Sequence, residues 1–334
     1  MAARCEAVAS ESHVAQAARD ALSYGNAVDA VVAGVLVAVA ESPSVLLGPV
    51  QMLVAGAGAG VRAVDGRVRQ PGLGVPRPRG FLASEQVPPQ ARVGVPALPA
   101  ALAWVLASLG SATPLRVTGA AIERARGRSP ERARVLEAFA RRGAAALVDD
   151  GVVGELTAVA GRSVSGLLTR EDLASVRPNI QSRDDQALEP SGVFTVPWRG
   201  DVPHDASFTH VVAAADPRGL VAIACYDSPL DGLGVPALGL VAPAFAAPVM
   251  RGEARVRPGD PCSAAAPIAL RAHHGIADLA FGLAEAHDAE SALDAVVRAL
   301  AQTLTVAAAI AEAPSGRPVA VIREGEAAKA LASG

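Results

Sequence analysis

Few side chains in this sequence are typed and spaced for chemistry. Six histidines (His13, His204, His210, His273, His274 and His287) could serve as bases or metal ligands. No two stand at Glu-x-x-His or His-x-x-x-His spacing, which would set a metal site on a helix. His273 and His274 are adjacent, and adjacent strand residues face opposite ways, so His273-His274-Gly275 reads as a turn. Cys5, Cys225 and Cys262 fall at no regular spacing and read as reduced thiols, neither a disulfide framework nor a metal site. The neighbouring carboxylates Asp149-Asp150 and Asp184-Asp185 read as loop or turn residues. The run GAGAG, 56–60, lacks the Lys-Ser/Thr of a phosphate-cradling loop and reads as a flexible turn. No cofactor is implied. Two segments matter by their order: YGNAVDAVVAG at 24–34, and ASFTHVVAAADPRG at 206–219.

The elements that must position these residues are legible in outline. Residues 12–23 and 27–41 read as helices, with Gly25-Asn26 as a stop and a new cap. The second is apolar nearly all round and should be deeply buried. Residues 50–55 and 61–64 predict a hairpin about GAGAG. Residues 69–92, rich in proline, predict an irregular surface connection. Residues 93–110 enter a helix through their prolines. Residues 116–142 hold eight arginines and three glutamates at helical spacing, a solvated helix face. Thr169, with Asp172 three residues on, opens a short helix. The polar stretch 179–207 marks the main internal boundary. Strands follow at 208–215 and 220–226 about the turn Asp216–Gly219, and at 266–271 and 276–283. A long apolar helix at 290–312 and a final strand at 318–323 close the chain.

Composition narrows the class. With 334 residues, 51% hydrophobic and 19% charged, the chain can bury a sizeable core, and aromatics at 3% leave that core to Ala, Val and Leu. A net charge of −3 argues against nucleic acid as a partner. Lys329 is the only lysine. The longest apolar run, Ala30 to Ala40, is too short to span a bilayer, and the first residues lack a secretory apolar region. The expectation is a soluble, cytoplasmic protein without a membrane partner.

In this order the segments resemble the gamma-glutamyltranspeptidases. GNAVDAVVAG with Glu41-Ser42-Pro43 is similar to that family's N-terminal helix and its acidic-proline corner. VDGRVRQP, 64–71, is similar to the segment whose arginine holds the substrate's alpha-carboxylate, which makes Arg67 the matching residue. PGDPCSAAAP, 258–267, resembles a substrate-binding segment, with Ser263 at its first serine. VGVPALPAAL and GLLTREDL are also similar to family turns and helix starts. The resemblance implies an α+β fold, the four-layer αββα sandwich of the N-terminal-nucleophile hydrolases, in a single domain over 1–334. Within it, 1–185 resembles the large-subunit part, 186–207 a shortened linker and 208–334 the small-subunit part. It also implies self-cleavage before a threonine, which then carries the gamma-glutamyl group to water or an amine.

The sequence departs from that pattern at the chemistry. Matching on His210 puts Phe208, which has no hydroxyl, at the nucleophile position. Matching on Asp216 and Gly219 puts Thr209 there. A one-residue slip turns a strand side chain to the other face, so the two registers exclude each other without a bulge. The Thr-His pair is the more specific anchor and favours Phe208. Ser207 is a further hydroxyl beside it. The residue after Arg67 is Val68, not Glu, and the second serine is Ala264. Of the oxyanion glycines only Gly282 has a counterpart, and Glu285 would repel an oxyanion. The expectation is a non-catalytic relative acting as a scaffold, binding or regulatory protein, with a protein partner or a second copy of itself. Two alternatives stand beside it. One is a gamma-glutamyl hydrolase or transferase using Thr209, for which gamma-glutamyl compounds would be the ligands. The other is a divergent biosynthetic enzyme reusing the old pocket with different groups. Arg67 and Ser263 are the candidate remnant of an anion-binding pocket.

Overall fold

The computed structural model describes residues 5–76, 78–183, 192–198, 207–229, 231–302, 305–311 and 313–332. In chain order the first half forms β1 (Glu6–Ala9), α1 (Ser12–Leu22), α2 (Ala27–Glu41), β2 (Val50–Ala55) and β3 (Val61–Gly66). It continues with α3 (Leu98–Leu109), α4 (Pro114–Arg128), α5 (Pro130–Arg142), α6 (Asp150–Ala160), α7 (Arg170–Ser175), β4 (Asn179–Arg183) and β5 (Val193–Thr195). The second half forms β6 (Ser207–Ala215), β7 (Val221–Pro229), β8 (Gly232–Val235), β9 (Leu240–Pro243), β10 (Ile268–His273) and β11 (Ile276–Ala284). It ends with α8 (Ala289–Ala301), α9 (Val306–Ala311), β12 (Arg317–Glu324) and β13 (Ala327–Ala332).

Two sheets stack face to face. One runs in the order β1-β6-β7-β2-β3-β4 and the other β13-β12-β11-β10-β5, with antiparallel pairing throughout. Strand alternation divides their side chains between layers. Val211, Ala213, Ile223 and Leu53 meet Ile268, Leu270, Ala280 and Val321 between the sheets. Val212, Ala214, Ala224 and Met52 face the helical layer built on α1 to α6. Leu279, Phe281 and Leu283 face α8 and α9 on the opposite side. The result is the four-layer αββα sandwich.

Burial of α2 explains its all-round apolar sequence: every residue from Ala27 to Ala40 is buried. Its ends are tied by side chains. Asn26 and Asp29 form a capping box at its start. At its end Arg132 of α5 donates through Nη1 to the carbonyls of Ala40 (2.8 Å) and Val39 (3.3 Å), and through Nε to that of Gly239. An arginine from the expected solvated face is thus buried and closes another helix. The other charges of α4 and α5 behave as surface groups: Arg126 pairs with Glu123 and Glu137, and Arg124 and Arg128 pair with Glu41. The run GAGAG is a close approach as well as a turn. Gly56 has φ +93°, and an added Cβ would lie 2.1 Å from the Gly219 carbonyl oxygen, so only glycine fits. Asp216 organises that facing turn by accepting from the N–H groups of Arg218 and Leu220.

Several elements differ from the sequence expectation. The polar stretch 179–207 supplies an edge strand to each sheet, β4 and β5. The single helix expected over 290–312 is two, α8 and α9; Gln302 closes the first, and Thr305 caps the second by accepting from the Ala308 N–H. The final strand is a hairpin, β12 with β13. Asp149 is an N-cap, of α6, while Asp184 and Asp185 lie outside the described residues. Among the described residues no helix is long and apolar enough to cross a membrane.

Candidate functional site

The face of the first sheet that looks into the sandwich is apolar for most of its length. At one end it becomes polar. Thr209 follows the parity of Val211 and shares that face. Its register partner across the β6–β7 ladder is Asp227. Cys225 lies two residues before Asp227 and is opposite Gln51 of β2, which is opposite Asp65 of β3. Four neighbouring strands therefore contribute to one buried polar row.

In that row Thr209, Asp227, Gln51 and Asp65 each make a side-chain hydrogen bond within the chain. The Thr209 hydroxyl donates to Asp227 Oδ1 at 2.8 Å, with Thr209 7% and Asp227 2% exposed. The Thr209 carbonyl accepts from the Glu285 N–H at 2.9 Å, and the Asp227 N–H donates to the Pro49 carbonyl. Gln51 accepts from the indole N–H of Trp198 and donates to the carbonyl of Ala265 at 2.8 Å. Burial raises the thiols of Cys225 and Cys262, the latter to about 12, so both are protonated and inert.

Arg67 ends the row. Its guanidinium sits on the fully buried Asp65, Nε to Oδ1 at 3.0 Å and Nη2 to Oδ2 at 3.1 Å. Nη1 donates to the Trp198 carbonyl, and the Trp198 ring lies under the guanidinium at 5.8 Å. Arg69 adds a second ion pair to Asp65 at 3.2 Å. The fork that would hold a substrate carboxylate already holds a carboxylate of the protein. Ser263 is exposed, and its segment is tied to the Arg67 segment by the Cys262 N–H donating to the Val68 carbonyl at 2.8 Å. The fold thus brings the Arg67 and Ser263 segments together beside Gln51.

His210 lies on the other face of β6. Its ring stacks on Tyr226 at 5.3 Å and stands 3.5 Å from Glu11, whose carboxylate also accepts from the Tyr226 hydroxyl. Burial lowers the pKa of His210. The adjacent Thr209 and His210 therefore serve different layers. In the β6–β7 ladder the backbone of Phe208 pairs with Ser228 and that of Ser207 with Pro229, while both side chains lie outside the described residues. Gly282 is a packing glycine: an added Cβ would stand 2.8 Å from Val211 Cγ1, so its absence lets the sheets approach. The Glu285 carboxylate, expected to repel an oxyanion, is neutralised by Arg317. Asp227, Gln51, Asp65 and Trp198 were not singled out by sequence reasoning. Polar residues inside otherwise apolar strands were the available signal for the first three.

No family model and no curated protein matches this chain. Solved structures do. A cephalosporin acylase from Bacillus halodurans superposes over 98% of this chain and 94% of its own, with TM-score 0.73 and 14% identity. A structure of the protein LmbA2991 covers 99% of this chain and 98% of its own, with TM-score 0.72 and 14% identity. A gamma-glutamyltranspeptidase from Pseudomonas nitroreducens aligns over 58% of this chain and 68% of its own, with TM-score 0.44 and 18% identity. The fold is that of the N-terminal-nucleophile hydrolases.

Proposed function

We propose that this chain is a non-catalytic protein on a gamma-glutamyltranspeptidase-like fold, acting as a binding or regulatory scaffold. The observation that carries the reading is the commitment of the groups that acyl transfer would need. Acyl transfer needs a hydroxyl that substrate can reach, beside a base, and at least one pair of donors where the oxyanion forms. Thr209 is only 7% exposed, the Glu285 N–H is spent on Thr209's own carbonyl, and the Arg67 guanidinium on Asp65. Gly282 is held within the β10–β11–β12 ladder. A second reading rests on the Thr209–Asp227 hydrogen bond. A carboxylate 2.8 Å from a threonine hydroxyl is placed as a base, so Thr209 with Asp227 is the alternative catalytic pair.

Intact-mass measurement and a chromogenic gamma-glutamyl anilide separate the two. The scaffold reading expects one uncleaved chain and no turnover. Cleavage before Thr209, giving fragments of 208 and 126 residues from the 334, would overturn it. So would turnover that disappears in Thr209→Ala.

A further inference from the structure

A separate cavity carries a different kind of chemistry. It lies where the proline-rich connection meets the turn between α6 and α7, with a volume of about 390 Å³. Phe81, Leu167, Val249 and Val75 give it apolar walls, and Arg79 and Arg162 stand at its edge. Neither Thr209 nor Arg67 lines it. Backbone hydrogen bonds preform the walls. The Phe81 N–H donates to the Val249 carbonyl and the Arg251 N–H to the Phe81 carbonyl. The Leu168 N–H donates to the Ala160 carbonyl. Gly166 fits only without a side chain, since an added Cβ would lie 1.9 Å from the Ala160 oxygen.

Its electrostatics are unbalanced. Among the described residues no carboxylate pairs with Arg79 or Arg162, whereas arginines on α4 and α5 find acids. Behind the Leu167 wall a third guanidinium is left over. Arg255 has buried Nε and Nη2 groups without a partner, beside Gly72, whose own missing Cβ would face both Arg255 and Leu167. Arg255 does not itself line the cavity, but its positive charge adds to the field that favours an anion there. Arginine forks match carboxylates in two-point geometry, and apolar walls of this size suit a compact hydrocarbon body.

We propose that this cavity binds a small organic carboxylate with an aromatic or branched apolar body, its acid on Arg79 and Arg162 and its body on Phe81, Leu167 and Val249. The site is independent of any chemistry at Thr209. Titration calorimetry on the full chain tests it with phenylacetate, the uncharged phenylacetamide and acetate as probes. Phenylacetate should bind saturably, and each of the other two about tenfold or more weakly, because each lacks one half of the recognition. The double variant Arg79→Gln, Arg162→Gln should weaken phenylacetate by a similar factor. Both arginines are exposed, so the fold should persist. The charge-matched control Arg134→Gln, Arg141→Gln, on the exposed face of α5, should bind like the unmodified protein. Equal binding of acid and amide, equal loss in the control, unchanged binding in the double variant, or no saturable binding would each overturn the proposal.

Discussion

Replacing Asp29 should destabilise the fold by more than helix capping alone explains. Asp29 is fully buried, and its Oδ2 accepts from four donors. These are the N–H groups of Asn26 (2.9 Å), Ser111 (2.9 Å) and Ala112 (3.1 Å), and the Ser111 hydroxyl (2.8 Å). The carboxylate therefore pins the start of α2 to the loop between α3 and α4. Asn26 repeats the link by donating to the Leu109 carbonyl at 2.7 Å. In Asp29→Ala three backbone N–H groups lose their acceptor, and each buried unsatisfied group costs about 1–3 kcal/mol. Partial relaxation toward water brings the sum to about 4 kcal/mol. At about 2 °C per kcal/mol for a chain of this size, the melting temperature should fall by roughly 8 °C. Asp29→Asn keeps one acceptor oxygen and loses the charge, so it should cost about 1–2 kcal/mol. Thermal and urea unfolding of both variants give the numbers. An Asp29→Ala protein within 1 kcal/mol of the parent, or an Asp29→Asn protein of unchanged stability that has lost a measurable activity, would refute the structural assignment.

Three further outcomes follow from the same geometry. Thr209→Val should cost about 1–3 kcal/mol in urea unfolding, because Asp227 loses a buried donor, and Thr209→Ser should recover most of it. Burial lowers the pKa of His210, which sits among Glu11, His13, Glu285 and Arg317. The unfolded chain takes up that proton near pH 6.5 and the native state only below it, so stability should fall as pH drops below about 6.5. His210→Gln should flatten that slope, and an unchanged slope would assign it elsewhere. Ellman's reagent should titrate Cys5 at most in the native protein, and all three cysteines only after denaturation, since Cys225 and Cys262 are buried and protonated.

Much of the scaffold was legible because its signals are local. The cap Asn26 before an apolar run gives α2, Thr169 with Asp172 gives α7, and apolar stretches on either side of the Asp216–Gly219 turn give β6 and β7. What escaped depends on partners distant in sequence. β4 is polar and β5 only three residues long, so neither declares itself without the sheet it edges. Arg132 reads as one more surface charge until α2 presents its terminal carbonyls. The site was harder still. Arg67 was read through resemblance as a substrate-carboxylate binder, yet Asp65 stands two residues away, and residues two apart on an extended chain share a face. That spacing was visible in the sequence, whereas the Thr209–Asp227 pair needs the β6–β7 register.

The polar row and the arginine-edged cavity differ in what a ligand would have to break. In the row, an incoming carboxylate must displace Asp65 from Arg67, a bidentate charged pair in a buried setting. Breaking such a pair leaves a charge without its partner, a loss of about 3–5 kcal/mol before any new contact forms. The Thr209 hydroxyl and both ends of Gln51 have likewise been matched within the chain. Groups matched in this way serve as core, and selection for stability alone is enough to keep them. At the cavity, Arg79 and Arg162 have no acid to surrender among the described residues. A carboxylate there adds hydrogen bonds without removing any. On that physical ground a ligand belongs at the edge of the proline-rich connection and not in the row beside Thr209.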